Sequence, residues 1–360
     1  MRQRQVVIFV SLLAFILSLL VGGILILING DNPIVAYASL LKGAFSTPDN
    51  IANTLATSTQ LIFTGLSVAV AFKNGFANIG AEGQLYLGAM AAAVVGIFAP
   101  LPGPMLLPMA IIMSFLVGGL YGMLPAVLRI KTGTNEVVTT LMLNYVAILF
   151  TSYLVNYPLK APGAPIGMTN NIQTAAKLPV LYHGTRFNLG FLIAILAAIL
   201  VYFYFKNTVR GYEMRLSGQN SEFASYLGIH VDKNIILSMF ISGGLAGLGG
   251  AALVLGIQYR FVQGISPGYG FDGLTIGLMA NFNALAVIPF AILFGAMRSG
   301  SLTMELLTNI PSELSSVIQA LVILFMSSEN SVTKYFKDFL EKRESIRKQK
   351  MKVKGGVDNV

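Results

Sequence analysis

Apolar stretches of roughly 20 residues, set apart by short polar breaks, recur along nearly the whole chain, and that length is what a helix needs to cross the hydrocarbon of a bilayer. The clearest run from Val6 to Ile28, Ile51 to Phe72, Leu85 to Ala99, Met109 to Leu128, Glu136 to Asn156, Leu189 to Phe205 and Asn234 to Gly256. Inside hydrocarbon a backbone amide finds no water, so such stretches are predicted to be helical. Apolar residues make up 55% of the chain and charged residues 11%, a balance that a water-soluble core does not call for. The sequence predicts an all-α, polytopic membrane helix bundle.

Basic residues orient it. Arg2 and Arg4 precede the first stretch, Arg129 and Lys131 follow the fourth, and the chain from Lys334 onward holds nine basic residues against four acidic. Lys and Arg collect in cytoplasmic loops, which puts both termini in the cytoplasm of a multi-pass plasma-membrane protein. The first stretch is longer than the apolar core of a signal peptide, about 7–15 residues, and is expected to be retained. Asn281-Phe282-Asn283 interrupts the stretch from Phe271 to Met297, giving two short passes; with a last one from Ser312 to Phe325 the count is about ten transmembrane helices. Residues 1–326 then form the membrane domain, with a polar inner loop at 207–233, and 327–360 form a basic cytoplasmic tail. The loop from Tyr157 to Asn188 is a candidate docking surface. Its bases Lys160, Lys177 and Arg186, with Arg260 further on, suit either acidic patches on a partner or plain solvation.

Several chemistries are not expected. The chain has no cysteine, which removes disulfides and thiolate catalysis. Its two histidines, His183 and His230, stand in different loops, and neither an HExxH pairing nor a GxxxxGK[ST] phosphate loop occurs. No metal, cofactor or catalytic residue is expected, and ATP hydrolysis would fall to another subunit. The net charge of +9 is concentrated in the tail, where it suits anionic lipid rather than nucleic acid.

What remains are polar residues inside apolar segments. The run from Asn74 to Gln84 holds Asn74, Asn78, Glu82 and Gln84 among three glycines. Facing lipid, each would cost several kcal/mol, so they must face protein or water. Glycines at this density predict a broken helix near 74–84, of the kind that lines a cavity in membrane transporters. A second cluster follows Thr134: Glu136, Thr140 and Asn144 lie at i, i+4 and i+8, on one helical face, which either faces a pore or joins helices. Asn135 or Thr134 can equally cap that helix. Gly243, Gly247 and Ala251 form a small-residue stripe suited to close helix packing.

The segment from Gly211 to Ile229 resembles the coupling segment of ABC importer permeases of the ribose, branched-chain amino acid and nucleoside branch, through Arg215, Gly218, Asn220, Ala224, Gly228 and Ile229. Leu216 and Phe223 stand where that branch usually has small residues. Asn78-Ile79-Gly80-Ala81-Glu82-Gly83-Gln84 and the stretch from Asn135 to Tyr145 look like the nucleoside-type members, whereas Ala280-Asn281-Phe282-Asn283-Ala284 departs from their more basic turn. The resemblance implies a cytoplasmic coupling helix that docks on an ABC ATPase. It also implies a second permease subunit, identical or paralogous, and an external substrate-binding lipoprotein that delivers substrate. A nucleoside is uncharged and rich in donors and acceptors, so Asn78, Gln84, Asn135 and Asn144 suit its base or ribose, and Phe76 or Phe282 can stack on a base. Glu82 either bonds substrate or braces the broken helix. Ribose or another small polar solute is the alternative cargo, and an ion-coupled secondary transporter the alternative class, for which Glu82, Glu136 and Asp272 offer few ionisable groups.

Overall fold

The computed structural model describes residues 16–308 together with 310, 314, 316–318, 320 and 321. The start of the first stretch, most of the segment from Ser312 to Phe325 and the basic tail at 327–360 lie outside the described residues. The chain divides into two compact units, Tyr37–Leu307 and a smaller one of Met1–Ala36 with Thr308–Val360. In the smaller unit α1 (Ile16–Ile28) ends at Asn29-Gly30, with Gly30 left-handed.

The larger unit is helical. After α2 (Pro33–Phe45), which begins in the smaller unit, come α3 (Pro48–Lys73), α4 (Ala81–Phe98), α5 (Gly103–Thr132), α6 (Glu136–Asn156), α7 (Gly190–Asn207), α8 (Val209–Gln219), α9 (Ser221–Tyr226), α10 (Val231–Leu253), α11 (Tyr269–Met279) and α12 (Ala284–Leu307). Isolated bridges, Met168 to Val262 and Val180 to Asn188, are the β pairing among the described residues. Among the described residues seven helices, α3, α4, α5, α6, α7, α10 and α12, are long and apolar enough to cross a membrane; α1 and α2 taken as one broken span would make eight. The reading of 271–297 as two short passes needs correction. The eleven residues of α11 rise only about 16 Å, half of a ~30 Å hydrocarbon core, whereas α12 is full length. The short helix α2 had no counterpart in the sequence reading, because its 13 residues fall below the length of a span.

Local chemistry sets the ends. Thr47 caps α3 by accepting the Asn50 N–H at 3.2 Å, with Pro48 at the first helical position. Asn135 caps α6 by accepting the Val137 and Val138 N–H groups, so α6 runs over the span expected of it. α10 continues through a π turn, Val254–Gln258, and the Asn188 amide donates to the Gly256 carbonyl there.

α3 and α10 form the interior and the other spans surround them. α11 runs alongside α3 in the same direction, since Gly273 meets Thr64, Gly277 meets Val68 and Phe282 stacks on Phe72. α12 returns the other way, with Val287 against Gly65 and Gly295 against Ser58. The outer faces of α5, α6 and α7 expose Leu120, Val138, Met142, Leu149, Leu196 and Leu200, the apolar surface that hydrocarbon tolerates. At one end of the bundle the segment 157–188 is a folded cap rather than a solvated loop: Thr169, Ile172 and Gln263 exchange backbone hydrogen bonds of 2.8–2.9 Å with Phe261, Tyr259 and Gly167. α8 and α9 lie at the other end.

α5, α4 and α10 approach backbone to backbone. A Cβ on Gly243 would strike the Gly118 carbonyl, one on Gly247 the Ser114 carbonyl, and one on Gly88 the backbone of Gly247. The small-residue stripe is helix packing. Gly247→Val is expected to lower the thermal unfolding midpoint of the purified protein in detergent, by an overpacking cost on the order of 2 kcal/mol or more. An unchanged midpoint would contradict the close approach.

Candidate functional site

The break between α3 and α4 is a local consequence of residues 74–80. Asn74 ends α3, Gly75 turns left-handed at φ 73°, and the Phe76 N–H closes back on the Ala71 carbonyl at 3.2 Å. The chain then leaves helical geometry until Ala81, and the Asn78 side chain takes over the pairing by accepting the Gly80 N–H at 2.8 Å.

Around Asn78 the neutral polar groups converge. Its amide donates to Gln84 Oε1 at 3.0 Å and to Ser242 Oγ at 2.8 Å, while Gln84 Nε2 donates back to Asn78 Oδ1 at 3.2 Å. Ser242 Oγ in turn donates to the Ser67 carbonyl at 2.7 Å and lies 3.0 Å from Ser67 Oγ. Ser242 falls near the middle of the 28 residues from Val231 to Gln258, so the cluster sits about half-way along a span. α6 closes the other side. Asn144 accepts the Gly83 N–H and donates to the Ile79 carbonyl, each at 2.8 Å, and Thr140 Oγ1 accepts the Ile79 N–H at 3.3 Å. Asn78, Gln84, Thr140 and Asn144 are all buried.

The remaining residues singled out from the sequence lie around this cluster. Asn74 donates to Ser238 Oγ at 2.9 Å. Phe76 is fully buried in a pocket of Ala71, Ala126, Ile235 and Met239, with the Arg129 guanidinium 5.3 Å from its ring centroid. Arg129 also pairs with Glu136 at 3.1 Å, at the partly exposed start of α6. Asn135 is occupied as the α6 cap, and Phe282, left-handed at φ 56°, stacks on Phe72 with centroids 4.8 Å apart. These residues are brought to the end of the bundle that carries α8, not into the Asn78 cluster.

Glu82 is buried and braces backbone. Its Oε2 accepts the Gly270 N–H at 2.5 Å, at the start of α11, and Gly270 packs directly on the backbone of Glu82. The same corner holds Arg298, which pairs with Asp272 at 2.9 Å, donates to the Pro267 carbonyl at 2.9 Å and lies over the Tyr269 ring. Tyr86 donates to the Ser266 carbonyl beside them. The buried Glu82 and the partly buried Asp272 therefore hold α11 to α4 and α12.

In the segment of the resemblance, α8 and α9 share Asn220, which ends the first and caps the second by accepting the Phe223 N–H at 2.9 Å. Ala224 is buried, Gly228 is left-handed at φ 79°, and the Ile229 N–H bonds the Ala224 carbonyl at 3.1 Å. Gly218 lies against the backbone of Lys73, Asn74 and Gly75. The Arg215 guanidinium stands 5.9 Å from the Tyr212 ring.

Residues 50–327 match the protein family described as the permease component of the branched-chain amino acid transport system. The chain belongs to that permease family. It is similar to the guanosine ABC transporter permease protein NupP of Bacillus subtilis, at 35% identity over 92% of this chain and 96% of that one. It is also similar to the nucleoside ABC transporter permease protein NupB of Lactococcus lactis, at 31% over 91% and 92%, and to a glucose ABC transporter permease protein of Haloferax volcanii, at 31% over 90% and 88%.

As a transport subunit, the permease needs no reacting group, and the cluster at its centre offers none. It offers amides and hydroxyls without a fixed charge, bonded to one another. The sequence reading missed Ser67, Ser238 and Ser242, because a serine in an apolar helix usually bonds back to its own turn and carries no sign of a distant partner. It missed Arg298 as a partner of Asp272 for the same want of a local signal. Asn144→Leu, which keeps volume, strands the buried Ile79 carbonyl and Gly83 N–H; it is expected to destabilise the permease by about 2–4 kcal/mol. A thermal midpoint in detergent equal to that of the unaltered protein would show that the break does not lean on α6.

Proposed function

We propose that this permease is the membrane-spanning subunit of an ATP-driven importer that carries nucleosides from an external binding protein to the cytoplasm. The observation that carries the substrate class is the neutral polar cluster of Asn78, Gln84 and Asn144, beside the turn between α3 and α4. A nucleoside presents amide-like edges and hydroxyls without charge, and an Asn or Gln amide can match a base edge with two bonds. Relatives named for guanosine and for nucleosides along more than nine-tenths of the chain support the same cargo. A relative named for glucose keeps a neutral sugar as the second reading, since sugar hydroxyls suit the same amides.

Substrate passes the break as the helices around it alternate access. Asn74, Phe76, Asn135 and Glu136 line the route on its α8 side, Phe282 flanks it from α11, and Glu82 keeps α11 in place. Both termini are cytoplasmic, α11 enters the membrane only half-way, and α9 is the coupling helix. Phe223, Tyr226 and Leu227 are exposed on and just after it, an apolar tip of the kind that enters a groove on an ATPase. A second permease subunit, identical or paralogous, completes the pathway, and Lys160 and Arg186 on the folded cap meet acidic patches of the binding protein.

Uptake of labelled guanosine or uridine is expected to require ATP and to persist when the membrane potential is collapsed. Asn78→Ala or Gln84→Ala is expected to cut uptake roughly tenfold or change which nucleosides compete, a loss of one or two substrate bonds. Unchanged uptake and preference in both would remove the cluster from the pathway. Gly228→Arg, at a left-handed position that no bulky residue adopts without strain, is expected to abolish co-purification of the ATPase; normal recovery would sink the assignment of α9.

A further inference from the structure

Phe271, Thr275 and Leu278 follow one another at i, i+4 and i+7 on α11, so they share one helical face. Phe271 and Leu278 are exposed, at 41% and 46%, and Thr275 is partly exposed. An ion pair stands at the same helix. Arg298 of α12 bonds Asp272 of α11 at 2.9 Å, with 24% and 17% of the two side chains exposed. Neither end of α12 is near. Gly295, about one turn before Arg298, packs on Ser58 well inside α3, and α12 continues for about two and a half turns beyond Arg298, to Leu307.

Hydrocarbon is a poor cover for such a pair. Charged side chains inside a membrane turn to protein or to a water-filled cavity. Arg298 is not reaching for the interface, because its guanidinium is held in place by Asp272, by the Pro267 carbonyl at 2.9 Å and by the Tyr269 ring, 4.8 Å from its centroid. Glu82 links this corner to the neutral cluster: its carboxylate accepts the N–H of Gly270, two residues before Asp272, and it lies two residues before Gln84 on α4. Together Asp272 and Arg298 carry no net charge, which suits a neutral solute. Nη2 serves both Asp272 and Pro267, and a guanidinium has five N–H donors, enough to add two parallel bonds to a pair of adjacent acceptors. O6 and N7 of a 6-oxopurine are such a pair, whereas adenine presents a donor at N6 in place of O6.

We propose that this face of α11 and α12 is a wall of the conduction pathway, wetted rather than covered by lipid, and that Arg298 is a specificity-determining residue there, donating to the O6 and N7 acceptors of a 6-oxopurine nucleoside. Asp272 is its positioning residue. The proposal rests on the reading of the permease as a nucleoside importer, and it adds the side chain that selects among nucleosides.

The chain has no cysteine, so single cysteines report without background. In the importer complex reconstituted in liposomes, Phe271→Cys and Thr275→Cys are expected to react with a charged, water-borne thiol reagent about tenfold faster than Leu200→Cys on the outer face of α7, since a thiol in apolar surroundings does not ionise. Guanosine is expected to slow that reaction. In Arg298→Gln, competition for uptake should move about tenfold from guanosine and inosine toward adenosine, because a glutamine amide matches adenine N6 and N7. Asp272→Asn with Arg298→Gln keeps two hydrogen-bonding partners across the same gap without charge; it is expected to show the same shift with a thermal midpoint near that of the unaltered complex. Labelling of both cysteines no faster than at Leu200→Cys puts the face against lipid or another helix and overturns the wall. Labelling that guanosine does not slow, an unchanged preference, or equal loss of all three nucleosides in both variants overturns the contact and leaves Arg298 as a brace of α11. Failure of the importer reading looks different: the unaltered complex takes up none of the three nucleosides while the labelling stays fast.

Discussion

Every backbone amide in a low-dielectric interior needs a partner, and the architecture of this permease is organised around the one place where its central helices stop providing them. Between Lys73 and Ala81 the ladder of α3 ends and that of α4 has not begun. The freed groups are taken up by side chains from three directions: Asn78 within the break, Thr140 and Asn144 from α6, and the Ser238 and Ser242 hydroxyls from α10, which hold Asn74 and Asn78. Only close helices can deliver such short side chains. The glycine contacts of α10 with α4 and α5 are therefore part of the same solution, since they bring Ser242 within 2.8 Å of Asn78.

The same economy places charge. Glu82 and Asp272 would be expensive as isolated carboxylates in this setting. One is spent on the Gly270 N–H at the start of a half-length helix and the other on Arg298. Carboxylates favour the N-terminal end of a helix, where unpaired N–H groups collect, so α11 can begin inside the bundle instead of at its surface. The neutral cluster around Asn78 is left free of fixed charge, which fits a permease whose relatives are named for nucleosides and glucose.

Much of this was legible along the chain. The limits of α6 follow from an Asn cap and an apolar run, the break at 74–84 from glycine density, and the polar character of its lining from residues too costly to face lipid. Other features were hidden because their signal is not local. The folded cap at 157–188 reads as a proline-rich loop until residues 255–263 supply the backbone partners for it. α2 is too short to register as a span, and α11, which read as a pass, reaches only half-way.

By itself the sequence determined that the chain is a membrane bundle, where its main helices run, that a polar, glycine-rich segment separates two of them, and that it resembles transport permeases. These depend on hydrophobic length, capping and backbone preference, which act between residues near one another in the chain. Only the tertiary structure decided that Asn78 pairs with Gln84 and Ser242, that Asn144 clamps the break, and that Glu82 braces Gly270. Those partners are up to 188 residues apart. A hydrogen bond of that reach is specified by how helices pack, and nothing in the neighbouring sequence of either residue encodes it.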